Sequence, residues 1–322
     1  MLPKCPSQTI TANSSSKFEK QLTILLSFKS EVSHVSSAIG SSYDSIPWFA
    51  KAKAQIQEGI ISRLDWLDIP LLNPNDNKDE EQQPKEVKLL DYACGTGLMA
   101  ECLAPYVTVT RGIDLSTTMV ESFNKKHLSL GIPAEKTHAV VGDLFTDPVD
   151  SMFEGEEWWG FDIVSVGAAF HHFEGPVEAA RRLKERLRPG GVVLISDMLE
   201  GGDVPVKEGE GGEGGSEEEI GDGHGHHHHH HGHGHEHGHG HAETQEDSDD
   251  PLLKHQDKMK KSIVQFFDVE GIKKVFEEAG LVDVDVRVLD ERIWTNFGGN
   301  RTWKTIFLAK GKRPDIETKS EL

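Results

Sequence analysis

Between Val87 and Met198 the chain keeps switching its hydrophobic period, and this alternation limits its fold more than any other feature. Five short runs rich in Val, Ile and Leu read as strands buried on both faces: "VKLLDY" (87–92), "VTVTRGIDL" (107–115), "HAVVGDLF" (138–145), "FDIVSVG" (161–167) and "GGVVLISDM" (190–198). Helical stretches separate them. One starts at Leu98 and runs to Ala104. A second follows Ser116 as N-cap and carries Met119, Val120, Phe123 and Leu128; a third spans Pro176 to Arg188 with Val177, Ala180, Leu183 and Leu187 inward. Strands alternating with helices imply a parallel α/β sheet covered on both faces, a doubly wound fold. Upstream, Trp48, Ala52, Ile56, Ile60, Leu64 and Leu67 recur at helical spacing, so an amphipathic helix is expected over 46–67. The polar, Pro-bounded "NPNDNKDEEQQPKE" (73–86) reads as a linker. Downstream, Asp268 to Ala279 closed by Gly280 is a further helix, "VDVDVRVL" alternates as a strand with one wet face, and "WKTIFLAK" is a last strand. A loop over 290–301 joining these two strands suggests an antiparallel pair at one edge.

Charge divides the chain further. The formal net charge is −20, and residues 200–250 supply −14 of it, with fifteen acids against Lys207 alone. Within that stretch, "GDGHGHHHHHHGHGHEHGHGH" holds twelve of the eighteen histidines. So polar and glycine-rich a segment cannot bury a core, so 200–251 is expected to be a disordered insertion that takes up divalent metal adventitiously rather than at a defined site. The expected organisation is therefore a loosely ordered 1–40, one domain built from 41–199 and 252–312, and a tail over 313–322. The remainder carries 39 acids and 33 bases, without the basic excess of a nucleic-acid surface. Three cysteines (Cys5, Cys94, Cys102) show neither a disulfide framework nor zinc spacing. No apolar run reaches membrane-spanning length, and the Ser/Thr-rich start matches a mitochondrial presequence only weakly, so the cytoplasm is the default expectation.

The first strand ends in "LLDYACGTGLMA" (89–100), where a strand turns through glycines into a helix. Such a turn offers free backbone N–H groups and a positive helix end to a ligand, and many cofactors use it. Gly-x-Gly-x-x-Ala alone would suit a dinucleotide. The acids argue otherwise. Asp91 precedes the glycines, where a pyrophosphate would be repelled and an ammonium group favoured. Asp114 ends the second strand, seventeen residues after Gly97, the place from which a carboxylate accepts ribose hydroxyls. Asp143 ends the third, within reach of an adenine amine. This set describes S-adenosylmethionine better than NAD.

Taken with "FDIVSVGAAFHHF" and "LKERLRPGGVVLISDM", these motifs resemble a class I S-adenosylmethionine-dependent methyltransferase of the small-molecule type 11/12 group, over roughly residues 45–199 and 255–312. The resemblance implies a Rossmann-like seven-stranded sheet of order 3-2-1-4-5-7-6 with strand 7 antiparallel. It implies that Asp91, Ala93, Cys94, Gly95 and Gly97 hold the methionine part of the cofactor, that Asp114 with Leu115 holds the ribose, and that Asp143 with Leu144 holds the adenine. Phe170 would lie between cofactor and substrate. Ala93 stands where the family pattern has its first glycine.

Methyl transfer needs alignment above all, and a hydroxyl acceptor also benefits from a general base. His171 and His172, just past the fourth strand, offer one; the competing reading gives them packing or cofactor contacts. Asp197, ending the fifth strand, is a secondary candidate. A small-molecule acceptor is expected, since the Pro-Pro signature of base N-methylation is absent where "GAAFHH" stands. Two rivals are an NAD(P)-dependent oxidoreductase, for which no Tyr-x-x-x-Lys pair exists around Tyr43, Tyr92 or Tyr106, and a cofactor-binding protein without turnover.

Overall fold

A computed structural model describes residues 46–74, 86–205, 265–297 and 300–315. In chain order the elements are α1 (Pro47–Ile61), β1 (Lys88–Tyr92), α2 (Leu98–Leu103), β2 (Val109–Asp114), α3 (Thr117–Ser129), β3 (Thr137–Val141), β4 (Phe161–Gly167), α4 (Pro176–Arg186) and β5 (Leu187–Met198). There follow β6 (Val204–Pro205), α5 (Val269–Glu278), β7 (Val282–Val288), β8 (Ile293–Phe297), β9 (Asn300–Lys304) and β10 (Ile306–Lys312). Seven strands form one sheet in the order β3-β2-β1-β4-β5-β10-β7. The first five run parallel, and β10 runs antiparallel to both β5 and β7. Counted along this sheet alone, that is 3-2-1-4-5-7-6 with the seventh strand antiparallel, the Rossmann-like arrangement the resemblance implied.

Side-chain alternation along each strand feeds two cores. Leu90, Val164, Val193 and Phe307 point to a face covered by Ala180 and Leu183 of α4 and Ile272 and Phe276 of α5. Leu89, Ile163, Leu194 and Leu308 point to the opposite face, against Ile56 and Ile60 of α1 and Met99 and Leu103 of α2. The helix starts follow from local chemistry: Ser116 Oγ accepts from Met119 N–H at 3.4 Å, Asp268 Oδ1 accepts from Gly271 N–H at 2.6 Å, and prolines occupy the first turns of α1 and α4.

Several boundaries differ from the sequence expectation. Helix α1 ends at Ile61 and a separate 3-10 turn holds Leu64–Leu67. On α3 the expected inward Leu128 is 71 % exposed, while His127 is buried at 2 %. Helix α4 stops at Arg186 because Leu187 already pairs with Phe161 in the sheet. The 290–301 stretch is not a plain loop: β8 and β9 form a hairpin that joins β6 in a second, three-stranded sheet. "WKTIFLAK" accordingly splits at Thr305, leaving Trp303 half-buried in the small sheet rather than in the main core. The N-terminal 1–40, nearly all of the linker, most of the acidic Gly/His-rich insertion with its metal expectation, and the end of the tail lie outside the described residues. Among the described residues no helix is long and apolar enough to cross a membrane.

Candidate cofactor and catalytic site

The carboxyl ends of β1, β2, β3, β4 and β5 bring the motif residues to one edge of the sheet. The glycine loop is held from behind. Asp91 is 1 % exposed, its Oδ2 accepting from Ala100 N–H in α2 (3.1 Å) and its Oδ1 from Ser165 Oγ–H in β4 (3.1 Å). Burial pushes its carboxyl up to about 8, against the opposing pull of those two hydrogen bonds. Asp91 thus ties β1, β4 and α2 together at the base of the loop.

On the open side, Gly95 has φ +51°, and a Cβ built there would meet nothing within 4 Å. A Cβ on Gly97, by contrast, would strike His127 and Phe123 at 3.1 Å. The loop is therefore sealed at Gly97 and open at Gly95. Ala93 and Ala168, directly following β1 and β4, also take positive φ (54° and 51°), a conformation that costs an alanine about 1–2 kcal/mol. Two such residues on the rim mark it as over-determined by its surroundings, as ligand sites often are. Cys94 is buried, and burial holds its thiol well above the ordinary range, so it packs rather than reacts.

Asp114 stands beside this opening. Its Oδ2 accepts from Gly95 N–H (2.9 Å) and its Oδ1 from Ser116 N–H (2.8 Å). Burial raises its pKa, opposed by the backbone N–H groups of Ser116, Gly95 and Leu115. Further along the edge, Asp143 Oδ1 accepts from Tyr92 O–H (2.9 Å) and from Phe145 N–H (2.8 Å). Tyr92 packs on Phe145 (4.7 Å between ring centroids) and on Phe173 (5.9 Å), so Asp143 adjoins an aromatic wall suited to a planar base. Leu144 is buried in the core beneath, and Leu115 is half-buried next to Asp114. An open glycine cradle, a half-buried carboxylate beside it and an aromatic wall with an acid fit an adenosyl ligand.

Phe170 departs from expectation. It is 0 % exposed and packs between Phe173 and Phe267, with ring centroids 5.2 and 5.5 Å away, which places it in the core and leaves no surface for a ligand. The residue beside it carries more chemistry. His171 Nδ1 lies 2.8 Å from Asp197 Oδ1, and His171 N–H donates to Asp197 Oδ2 at 3.0 Å, joining the ends of β4 and β5. Both side chains are buried. Burial pushes the Asp197 carboxyl up, but the adjacent His171 and the N–H groups of Met198 and His171 outweigh it and hold the carboxyl below its ordinary range. With Nδ1 donating to this carboxylate, Nε2 is the basic atom of the ring. The His172 ring lies 4.0 Å from that of His171, tilted to it by 52°, and is half-buried. Tyr92, Phe145, Phe173 and Ser165 were not singled out in the sequence. Tyr92 carried a signal, since it directly follows Asp91 on a strand aimed at the edge; the two phenylalanines and the serine carried none.

The profile of the methyltransferase-domain family matches residues 68–286. The chain is 37 % identical over 120 residues to an uncharacterised methyltransferase of Schizosaccharomyces pombe, covering 37 % of this chain and 41 % of that protein. It is 25 % identical over 111 residues to the ubiquinone biosynthesis O-methyltransferase of Pasteurella multocida, covering 34 % of this chain and 46 % of the other. To the malonyl-[acyl-carrier protein] O-methyltransferase of Halalkalibacterium halodurans it is 29 % identical over 121 residues, 37 % of this chain and 41 % of that one. The matched stretch spans less than half the length of each of these relatives. Sheet order, glycine loop and family match agree: the chain belongs to the class I S-adenosylmethionine-dependent methyltransferases.

Proposed function

We propose that this chain transfers a methyl group from S-adenosylmethionine to a hydroxyl oxygen of a small-molecule acceptor. The observation that carries the reading is the buried His171–Asp197 pair at the edge of the cofactor cradle. An oxygen acceptor needs its proton removed as the new bond forms, and a carboxylate-held imidazole supplies that base. The O-methyltransferase names of two of the relatives favour the same acceptor atom.

S-adenosylmethionine, when bound, supplies an electrophilic methyl group on its sulfonium. Asp114 and the backbone around Gly95 hold the ribose and the methionine part. Asp143, Tyr92 and Phe145 flank the adenine. Asp91 keeps the loop in position from behind. Asp197 fixes the His171 ring so that Nε2 takes the acceptor's hydroxyl proton and Nδ1–H stays hydrogen-bonded. His171 is the catalytic residue in this scheme and Asp197 a positioning residue.

The test is calorimetric titration with S-adenosylmethionine, S-adenosylhomocysteine and NADH, followed by turnover of His171→Gln. The two sulfur ligands should bind and NADH should not; NADH binding alone overturns the reading in favour of an oxidoreductase. His171→Gln should lower kcat by about 10²–10⁴ while leaving S-adenosylhomocysteine affinity unchanged. Unchanged turnover would assign the histidine to packing.

A further inference from the structure

Asp197 fixes one atom of the His171 ring, and one fixed atom does not orient a ring. The hydrogen bond at Nδ1 (2.8 Å) leaves the imidazole able to pivot about it, because the torsion that turns a histidine ring is broad. Nε2 lies across the ring from that bond, so the plane of the ring decides where Nε2 points. The plane has a support of its own. The Phe266 ring lies against the His171 ring, inclined to it by only 28° with centroids 5.9 Å apart, an offset stack.

Phe266 is itself held in place. Before it, Gln265 N–H donates to His171 O (3.2 Å) and Gln265 Nε2 donates to Phe173 O (3.4 Å), which pins this segment to the 170–172 turn. After it, Phe267 is buried, packs on Phe170 with centroids 5.5 Å apart, and its carbonyl accepts from Glu200 N–H (2.9 Å) just beyond β5. From the small sheet, Lys304 of β9 sets its Nζ over the Phe266 ring, 6.0 Å from the centroid, and pairs with Asp203. Phe266 nevertheless stays 36 % exposed, so burial in the core does not account for its position.

We propose that Phe266 is a positioning residue that sets the plane of the His171 ring and with it the direction of Nε2. Asp197 supplies the point of attachment and Phe266 the plane, and the two together define the line along which Nε2 takes a proton. The small sheet gains a role by the same route, since Lys304 backs the Phe266 ring from β9. The inference rests on the reading of His171 as the base.

The test uses the full chain with isotope-labelled histidine, in the presence of S-adenosylhomocysteine. The measured quantity is the rate at which the His171 Nδ1 proton exchanges with water, followed by nuclear magnetic resonance and assigned through its absence in His171→Gln. Phe266→Ala should raise that rate about tenfold or more, as a local opening of the corner does, while the backbone amides of β5 keep their wild-type protection. Phe266→Tyr, which restores the ring, should return the rate to within about twofold of wild type. Faster exchange in β5 as well would make Phe266 a general structural support and overturns the assignment, as does a fast rate that Phe266→Tyr fails to restore. Wild type with its ring proton on Nε2 overturns the base reading and this inference with it. A proton on Nδ1 whose exchange is the same in wild type and Phe266→Ala overturns this inference alone.

Discussion

Ala93 is the one departure of the loop from its family's glycine pattern, and its φ of +54° shows what the missing glycine would have relieved. A glycine adopts that conformation without the clash between Cβ and carbonyl, although it loses more backbone entropy on folding. Relief should outweigh the loss, so Ala93→Gly is expected to raise stability by about 0.5–1 kcal/mol, read as a higher midpoint in urea. The neighbouring Asp91 gives a pH signature. Its folded-state pKa, about 8, lies above the ordinary aspartate value of about 4, so the folded state holds a proton that the unfolded state has released. The stability this proton represents is fully present below about pH 4 and is lost as pH rises through about 8, at up to about 1.4 kcal/mol per unit. Asp91→Asn keeps an acceptor for Ala100 N–H and removes the titration. Its stability should therefore fall less than that of wild type between pH 5 and 8, an interval chosen to lie inside that window; equal slopes in denaturant series would show that another group titrates.

Helix α5 shows how one packed ring seats a whole element. Phe276 is fully buried, and β10 makes room for it at Gly311, where a Cβ would come within 2.9 Å of the ring. Phe276→Ala should cost about 3–5 kcal/mol, measured by chemical denaturation. That helix was legible in the sequence through its Gly280 stop, and so were all five parallel strands, because strand runs buried on both faces and helix stops are local signals. The small sheet was not. β8 and β9 carry Trp294, Asn296 and Trp303 in a stretch with no clean alternation, and their pairing with β6 across the long insertion is a non-local choice. The same divide runs through the site. Asp114 and Asp143 announced themselves at strand ends, whereas Phe170 looked like a rim residue and proved to be core, because the 3-10 turn at 170–172 rotates it inward and places His171 against Asp197. Likewise His127 replaces Leu128 in the core because its Nδ1–H donates to Phe123 O at 2.9 Å, a backbone bond that a hydropathy pattern does not register.

The cofactor cradle is assembled from parts far apart in the chain, and that makes ligand binding and global stability one measurement. Gly95 meets Asp114 across 19 residues, Asp91 meets Ser165 across 74, and the His171–Asp197 pair joins the ends of β4 and β5. Opening any one of these contacts opens the sheet edge, so the ligand-competent loop belongs to the folded state and is lost on unfolding. A ligand that binds only the folded state stabilises it by about 2.7 kcal/mol at a concentration one hundred times its Kd. For a domain of about 150–250 residues each kilocalorie moves Tm by about 2–4 °C, so S-adenosylhomocysteine at that excess should raise Tm by about 5–11 °C. Asp114→Ala removes the acceptor that holds Gly95 N–H and the carboxylate offered to the ribose, and should abolish most of that shift. Gly95→Ala puts a methyl group into the open side of the cradle and should do the same, with its own Tm without ligand lowered by the roughly 1–2 kcal/mol that φ +51° costs an alanine. A full shift in both variants, followed by differential scanning fluorimetry across a ligand series, would mean that the ligand binds elsewhere on the molecule.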